Sequence, residues 1–263
     1  MIAAIAGDIV GSTHERSGTK QTDFTLFTRS SRFTDDTVMT LAVADCLMNG
    51  RPYAQTLRTY GRRYPDRGYG GIFKKWLADD AMGPYQSFGN GSAMRVGPVG
   101  FAMPDIDAVM AEARRSAEVT HDHPEGIKGA QALAVAIFLA HRGADKPTIR
   151  REIAGRFGYD LQRTVASIRP DYAFDVTCQG SVPEAIVAFL DSDDVESAIR
   201  LAVSLGGDAD TLASMAGALA QAHYRVVPSA IVAEVRARLD PELWTLNEAF
   251  CARHGIVHDG SPR

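Results

Sequence analysis

Residues 124–141 form the least polar long segment of the chain. Pro124 is tolerated at the first position of a helix, and the run GAQALAVAIFLAH that follows would be hydrophobic on nearly every side of that helix. A helix that is apolar all round is buried, so the segment predicts a central helix surrounded by other elements. Its longest apolar part, residues 130–140, is too short to cross a bilayer.

Helical spacing also recurs through most of the remaining chain, whereas strand patterns are nearly absent. Small residues are frequent on these segments, which suits close packing between helices. The sequence has no internal repeat and no low-complexity linker, so it predicts an all-α fold with a single domain over residues 1–263. Further helices are predicted at residues 37–49, 106–119, 148–156, 183–190, 195–205, 211–223, 229–239 and 241–253.

The charge balance and the cysteines exclude several functional classes. With 28 basic and 32 acidic side chains the net charge is −4, so no basic excess supports sequence-independent nucleic-acid binding. Cys46, Cys178 and Cys251 are far apart and odd in number, which argues against a disulfide scaffold and a cysteine-ligated zinc site. The apolar N-terminal run ends at Asp8 and lacks a basic region, so it resembles neither a signal peptide nor a membrane span. We therefore expect a soluble, cytoplasmic protein with no membrane partner.

Two short acidic motifs stand immediately before predicted helices, TDDT at residues 34–37 and GGDADT at 206–211. Helix capping explains either motif alone, because Asp and Thr are preferred N-caps and acidic residues interact well with the helix dipole. Together the motifs also supply oxygen ligands that suit hard divalent cations such as Mg²⁺ or Mn²⁺. If the motifs converge, four carboxylates would repel one another, and a pair of cations would neutralise them. The candidate ligands are Thr34, Asp35, Asp36, Asp208, Asp210 and Thr211.

A glycine-rich motif, SFGNGSAMR at residues 87–95, offers a candidate anion site. The glycines beside Asn90 allow a positive φ and a close backbone approach, and Ser92 can cap a following helix. Backbone N–H groups at such a helix start would suit a phosphate. An ordinary turn from loop to helix is the alternative, and Arg95 fits a structural ion pair as well as a ligand contact.

Three further polar segments are open to more than one interpretation. In THDHP at residues 120–124, His121 could donate to a phosphate or ribose oxygen. A cap or surface role fits His123, and it also fits His121 considered alone. The pair is not typical of zinc, because no third ligand lies at a usual spacing. The GDxxG pattern at residues 7–11, with an acid at Glu15, is a weak signal alone. Residues 16–33 are polar and predict either a lid over a site or a plain surface loop.

Taken in order, these motifs resemble the ADP-ribosylglycohydrolase family. Singly only FTDDT and GGDADT are fairly specific, but five motifs in this order, over about four fifths of the chain, are highly specific. The resemblance implies a fold of many helices around a dinuclear Mg²⁺ or Mn²⁺ site. The matching strings are GDIVGSTHE at residues 7–15, FTDDT at 33–37, GNGSAMRVGP at 89–98, THDHPEG at 120–126 and GGDADTLASMAGALA at 206–220.

The resemblance also implies a role for each matched position. Glu15 would be an acid on a mobile segment that reaches both the metals and the substrate, and Asp8 would position other groups. His121 would lie near the distal ribose or the diphosphate of ADP-ribose. Two Mg²⁺ (or Mn²⁺) would be held by Thr34, Asp35, Asp36, Asp208, Asp210 and Thr211, and ADP-ribose would be lined by Gly89, Asn90, Gly91, Ser92 and Met94.

The implied activity is hydrolysis of the bond between C1″ of ADP-ribose and an acceptor such as a protein arginine. Asp36 or Asp210 would accept the proton of the attacking water, and Glu15 would be a third catalytic candidate. We expect a monomer that acts on an ADP-ribosylated protein or small molecule. A metal-dependent hydrolase of free ADP-ribose derivatives and a non-catalytic, crystallin-like relative that binds ADP-ribose are the alternatives. The intact acidic motifs argue against the non-catalytic one.

Overall fold

The computed structural model describes residues 1–257, and in that range it contains fifteen helices and no β-sheet. The prediction of an all-α fold is confirmed. Residues 258–263 of the predicted single domain lie outside the described range. In chain order the helices are α1 (Ile2–Gly11), α2 (Asp35–Asn49), α3 (Tyr53–Arg63), α4 (Gly71–Ala78), α5 (Gly91–Met94), α6 (Gly97–Ala102), α7 (Ile106–Glu118), α8 (Pro124–His141), α9 (Lys146–Phe157), α10 (Val165–Ile168), α11 (Cys178–Leu190), α12 (Val195–Val203), α13 (Ala209–Tyr224), α14 (Ser229–Arg238) and α15 (Pro241–His254).

Helices α8 and α13 lie at the centre of the fold. The predicted central helix is confirmed, since α8 is mostly buried and packs against α6, α7, α11 and α13. His123 caps it by accepting a hydrogen bond from the backbone N–H of Glu125 at 3.1 Å. Helix α13 also packs against α1, α11 and α12, and its residues are buried from Ala209 to Ala222. None of the described helices combines the length and apolar character that a membrane span needs.

The structure differs from the sequence prediction at several helices. Residues 2–11 form α1, which is buried throughout, although a short run with two glycines had not indicated a helix. Helix α11 begins at Cys178 rather than at Pro183, because Thr177 caps it by accepting a hydrogen bond from the backbone N–H of Gly180. The helix continues through Pro183 although proline leaves one carbonyl without its usual donor. The prediction also omitted α3, α4, α5, α6 and α10, of which all but α3 are eight residues or shorter and α3 is mostly polar.

Helices α1 and α13 approach so closely that their contact requires glycine. A Cβ atom at Gly7 would lie 2.1 Å from the carbonyl oxygen of Ala213, and one at Gly11 would lie 2.4 Å from that of Ala209. Gly217 of α13 makes the corresponding contact with the backbone of α1. The GDxxG pattern is therefore a helix-packing motif. It holds α1 beside the start of α13, where the second acidic motif lies.

Replacing Gly11 by alanine should destabilise the protein, because the added methyl group would force two helix backbones apart. We expect Gly11→Ala to lower the free energy of unfolding by about 2–3 kcal/mol, as for an overpacked core. Gly155→Ala is the matched control, since Gly155 is exposed within α9 and has nothing within 4 Å of its Cβ position. Alanine there should stabilise the protein by about 0.5–1 kcal/mol through its higher helix propensity. Urea unfolding measures both values, and equal effects would contradict the close contact.

Candidate functional site

A cleft of about 670 Å³ lies at the N-terminal ends of α2, α5 and α13. This volume is in the range of sites that bind small molecules and cofactors. Every predicted site residue except Ser92 lines the cleft. The predicted cap at Ser92 is wrong, because α5 already begins at Gly91 and the buried Ser92 hydroxyl donates to the carbonyl oxygen of Gly126 at 2.7 Å.

The two acidic motifs converge in this cleft. Carboxylate oxygens of Asp8, Asp36 and Asp210 lie within 4.8 Å of one another. Those of Glu15, Asp208 and Asp210 form a second group of the same size. Because Asp210 belongs to both groups, the two lie side by side. Each set of three carboxylates has a geometry that could hold a metal ion.

The carboxyl groups of this cluster are buried and repel one another. Burial raises the pKa of Asp36 and of Asp210 well above the usual range, and the charges of Asp8 on Asp36 and of Asp36 on Asp210 raise both pKa values further. Burial and then the charge of Asp8 raise the pKa of Asp35 to about 8. Burial likewise raises the pKa of Glu15. Such a cluster is stable only if protons or cations neutralise part of its charge.

The donor set of this cluster fits divalent cations. Asp36 Oδ1 is buried and has no hydrogen-bond partner among residues 1–257. The other oxygen of Asp36, Oδ2, accepts a hydrogen bond from the Thr211 hydroxyl at 3.2 Å. Carboxylate oxygens without protein donors, together with hydroxyl oxygens, are the hard ligands that Mg²⁺ and Mn²⁺ prefer. Ligation by these residues is therefore chemically consistent with the structure.

The starts of α2 and α13 show how far capping explains the two motifs. Thr34 caps α2, since its hydroxyl oxygen accepts a hydrogen bond from the backbone N–H of Asp36 at 3.3 Å. Asp208 precedes α13 but makes no capping hydrogen bond with its side chain. It accepts instead from the side-chain amide of Asn90 at 2.8 Å. Asp35, a predicted ligand, lines the cleft but belongs to neither carboxylate group.

Asp8 anchors the first acidic motif to α1. Its carboxylate accepts hydrogen bonds from the backbone N–H groups of Thr34 at 2.9 Å and Thr37 at 3.1 Å, and from both hydroxyls. These four donors satisfy most of the acceptor capacity of a carboxylate. The arrangement supports a positioning role for Asp8.

The glycine-rich motif forms one wall of the cleft. The backbone N–H of Asn90 donates to the carbonyl oxygen of Val176 at 2.7 Å, which ties the motif to the segment before α11. Neither Gly89 nor Gly91 has a positive φ, so that part of the prediction is wrong. A Cβ atom at Gly91 would lie 3.1 Å from His121 Nε2. Glycine is favoured there because it leaves space between the loop and the histidine ring.

The segment at residues 16–33, which follows Glu15, contains no regular helix or strand. Three basic side chains from α12, α14 and the segment itself tie it to the rest of the fold. Lys20 donates to two backbone carbonyls, one after α10 and one after α12, and Arg200 and Arg238 donate to carbonyls within the segment. Movement of the whole segment would break these hydrogen bonds, so its role as a lid stays a prediction.

Sequence analysis missed the apolar part of the cleft. Ile72, Phe174 and Val176 line it and are about half exposed, but they belong to no motif, and only their exposure in the fold reveals them.

Arg95 also lines the cleft, although it is only 1% exposed. No carboxylate among the described residues forms an ion pair with Arg95, so the ion-pair interpretation of this residue is wrong.

Comparison with known proteins places these features in a family context. The family model described as ADP-ribosylglycohydrolase matches residues 1–257. The ADP-ribosylhydrolase ARH3 of Gallus gallus is 28% identical over 307 residues, covering 85% of this chain and 84% of that protein. The ADP-ribosylarginine hydrolase Tri1 of Pseudomonas putida is 30% identical over 227 residues, covering 75% of this chain and 60% of Tri1. A solved ADP-ribosylglycohydrolase-related protein complex has a TM-score of 0.71 and 26% identity, with 95% of each chain covered.

Two isosteric substitutions in the carboxylate cluster should change stability in opposite directions without metal. Asp210→Asn should raise the free energy of unfolding by about 1–2 kcal/mol near neutral pH, because it removes a charge that burial and Asp36 disfavour. Asp8→Asn should lower it by about 1–3 kcal/mol, because its amide N–H₂ would face the donors of Thr34 or Thr37. Urea unfolding in a chelating buffer measures both. A loss of stability in Asp210→Asn equal to that in Asp8→Asn would contradict the repulsion.

Proposed function

This chain belongs to the ADP-ribosylglycohydrolase family, and we propose that it is a metal-dependent enzyme that releases ADP-ribose from arginine side chains of modified proteins. Membership of the family makes it a hydrolase of the ADP-ribosylglycohydrolase type. The bond cleaved would join C1″ of ADP-ribose to the acceptor. The printed name of Tri1, an ADP-ribosylarginine hydrolase, supports arginine as that acceptor.

Two sets of three carboxylates lie in the cleft and have Asp210 in common, and this observation most supports the proposal. Two cations bound there would neutralise the cluster, orient ribose hydroxyls and lower the pKa of a water molecule near C1″. Asp35 lies outside the two groups but lines the same cleft, which supports its inclusion at the edge of the site. We propose that two Mg²⁺ or Mn²⁺ are held by Thr34, Asp35, Asp36, Asp208, Asp210 and Thr211.

Buried carboxylates of the chain would accept the proton of the attacking water. Asp36 is one candidate, because no donor among residues 1–257 forms a hydrogen bond with its Oδ1, while the Thr211 hydroxyl donates to its Oδ2. Asp210 is the other, since it lies between the two carboxylate groups. A general base must lie within hydrogen-bond reach of the proton it removes, and both side chains line the cleft where the ribose would bind.

The wall formed by the glycine-rich motif and His121 would bind the ADP-ribose. Asn90 connects this wall to the acidic cluster through its hydrogen bond to Asp208. A sugar held against the wall would therefore lie beside the carboxylates. Ser92 would contribute indirectly, because its hydrogen bond to the carbonyl of Gly126 fixes the loop from behind. The residues that would line the ligand are Gly89, Asn90, Gly91, Met94 and His121.

Glu15 would gate the acidic cluster. It lies in the turn that follows α1 and is half-buried. Its carboxylate belongs to the same set of three as those of Asp208 and Asp210. A carboxylate in this position helps to close the cluster and must move when ribose hydroxyls arrive. Gating motions of this kind often limit turnover. Because residues 16–33 are tied down, the movement would be centred on the turn that carries Glu15.

Turnover of a defined set of substrates tests this proposal. The purified chain should release ADP-ribose from ADP-ribosylated arginine in the presence of Mg²⁺ or Mn²⁺ and lose this activity in a chelating buffer. Asp36→Asn should lower the turnover number at least about a hundredfold, as expected when a general base is removed. Glu15→Gln should lower it less and leave the fold unchanged. Asp107→Asn, an exposed position on α7, is the matched control and should retain full activity.

Other results would contradict separate parts of the proposal. Full activity in a chelating buffer would exclude metal dependence. Release from serine-linked or nucleic-acid-linked ADP-ribose but not from arginine would exclude the proposed acceptor. Wild-type turnover in Glu15→Gln would exclude the gating role of Glu15. We also propose that the enzyme acts as a monomer in the cytoplasm, which sedimentation of the purified chain and cell fractionation would check.

A further inference from the structure

A chain of hydrogen bonds connects Arg95, Thr120 and His121 behind the wall of the cleft. Arg95 Nη2 donates to the carbonyl oxygen of Ser116 at 2.8 Å and to the hydroxyl oxygen of Thr120 at 2.9 Å. Thr120 Oγ1 in turn lies 2.7 Å from Nδ1 of His121. All three side chains are at least 95% buried. Water therefore has little access to these hydrogen bonds, and their donors and acceptors must match.

The chemistry of the guanidinium group fixes the direction of this chain. Arginine has five N–H donors and no acceptor, so Thr120 Oγ1 accepts from Arg95. The Thr120 hydroxyl must then place its own hydrogen elsewhere, and the acceptor within reach among the described residues is His121 Nδ1. Leaving that hydrogen unpaired in a fully buried site would be costly. Nδ1 is therefore the unprotonated nitrogen of the ring.

The ring of His121 is also held neutral. Burial lowers the pKa of His121 well below its usual range, and the nearby charge of Arg95 lowers it further. A neutral imidazole carries one proton, and an unprotonated Nδ1 leaves that proton on Nε2. The ring thus acts as a donor on the side opposite Thr120.

Nε2 of His121 faces the cleft between two glycines. It lies 3.1 Å from the Cβ position of Gly91 and 3.7 Å from that of Gly89. No acceptor among residues 1–257 forms a hydrogen bond with Nε2, while Nδ1 has its partner on the far side of the ring. The lack of side chains at both glycines opens the path from this N–H to a ligand. A donor placed there is matched by an acceptor oxygen, such as those of a ribose or a diphosphate.

We propose that Arg95 and Thr120 are positioning residues that hold His121 as the neutral Nε2–H tautomer, so that the ring donates a hydrogen bond to an oxygen of bound ADP-ribose. The identity of the ligand rests on the proposed function, whereas the tautomer does not. His121 would then bind and orient the substrate and would take no part in proton transfer. Arg95 pairs with no carboxylate in the part of the chain that the structure describes. Its buried guanidinium is explained by the proposal, because this group can only donate and so fixes the direction of the hydrogen-bond chain.

Direct observation of the ring nitrogens tests the tautomer. In the purified, ligand-free chain labelled with ¹⁵N-histidine, long-range proton–nitrogen spectra distinguish a protonated from an unprotonated ring nitrogen. The signals of His121, one of seven histidines, are assigned by their loss in His121→Gln. We expect a protonated Nε2 and an unprotonated Nδ1. A protonated Nδ1, in either the other neutral tautomer or a charged ring, would overturn the proposal.

Two substitutions at Thr120 distinguish the effect of its hydroxyl group from the effect of its side-chain shape. Thr120→Val removes the hydroxyl with little change in size, so Nδ1 loses its donor and the ring should populate the other tautomer. ADP-ribose binding, measured by calorimetry, should weaken about tenfold, the loss expected for one hydrogen bond. Thr120→Ser keeps the hydroxyl and should retain both the wild-type tautomer and the wild-type affinity. Equal losses in both variants, or an unchanged tautomer in Thr120→Val, would overturn the proposal.

A double-mutant cycle separates an effect of Arg95 through His121 from a direct contact with the ligand, since Arg95 also lines the cleft. If Arg95 acts through the ring, the loss of ADP-ribose affinity in Arg95→Met should largely disappear when His121 is already glutamine. Additive losses would assign Arg95 to the ligand itself and contradict its positioning role. If the wild-type chain shows the expected tautomer but binds no ADP-ribose, the proposed function and the ligand assignment fail while the tautomer stands.

Discussion

Repulsion between buried carboxylates at the starts of α2 and α13 is the constraint that the rest of the structure must oppose. Burial and the neighbouring charges both raise the pKa values of Asp36 and Asp210. Two features hold the groups together nonetheless. The glycine contacts of α1 fix its backbone against α13. Asp8 of α1 binds the start of α2 by accepting four hydrogen bonds. The fold thus maintains a cluster whose charge protons or cations must partly neutralise.

The sequence predicted the local parts of this site better than their assembly. The apolar run of α8 and the oxygen-rich motifs before α2 and α13 are visible because helix periodicity and capping are local properties. Convergence of the motifs depends on the contact between α1 and α13, which the weak GDxxG pattern did not reveal. For the same reason a positive φ was considered for the glycines beside Asn90, although neither has one and Gly91 instead leaves space for His121. Contacts across the fold determine why these residues are small, and a single sequence does not show such contacts.

The cleft combines two surfaces with opposite electrostatic character. One surface presents acidic oxygens around Asp210, whose chemistry suits divalent cations. The other presents hydrogen-bond donors, among them the ring of His121. Burial and the charge of Arg95 lower the pKa of this ring and so keep it neutral. Asn90 joins the two, because its backbone belongs to the glycine-rich wall and its side chain donates to Asp208. A ligand with both a ribose and a diphosphate matches this division, since its hydroxyls and its anionic oxygens need different partners.

The number of cations that the cluster binds tests the central claim most directly. Asp210 belongs to both carboxylate groups, whereas Asp36 belongs to one. Equilibrium dialysis against Mn²⁺ followed by metal analysis should therefore find two ions per wild-type chain. Asp36→Asn should retain one ion, and Asp210→Asn should lose measurable affinity for both. Fewer than two ions in the wild-type chain, or two ions retained in Asp210→Asn, would contradict a pair of cation positions that share this carboxylate.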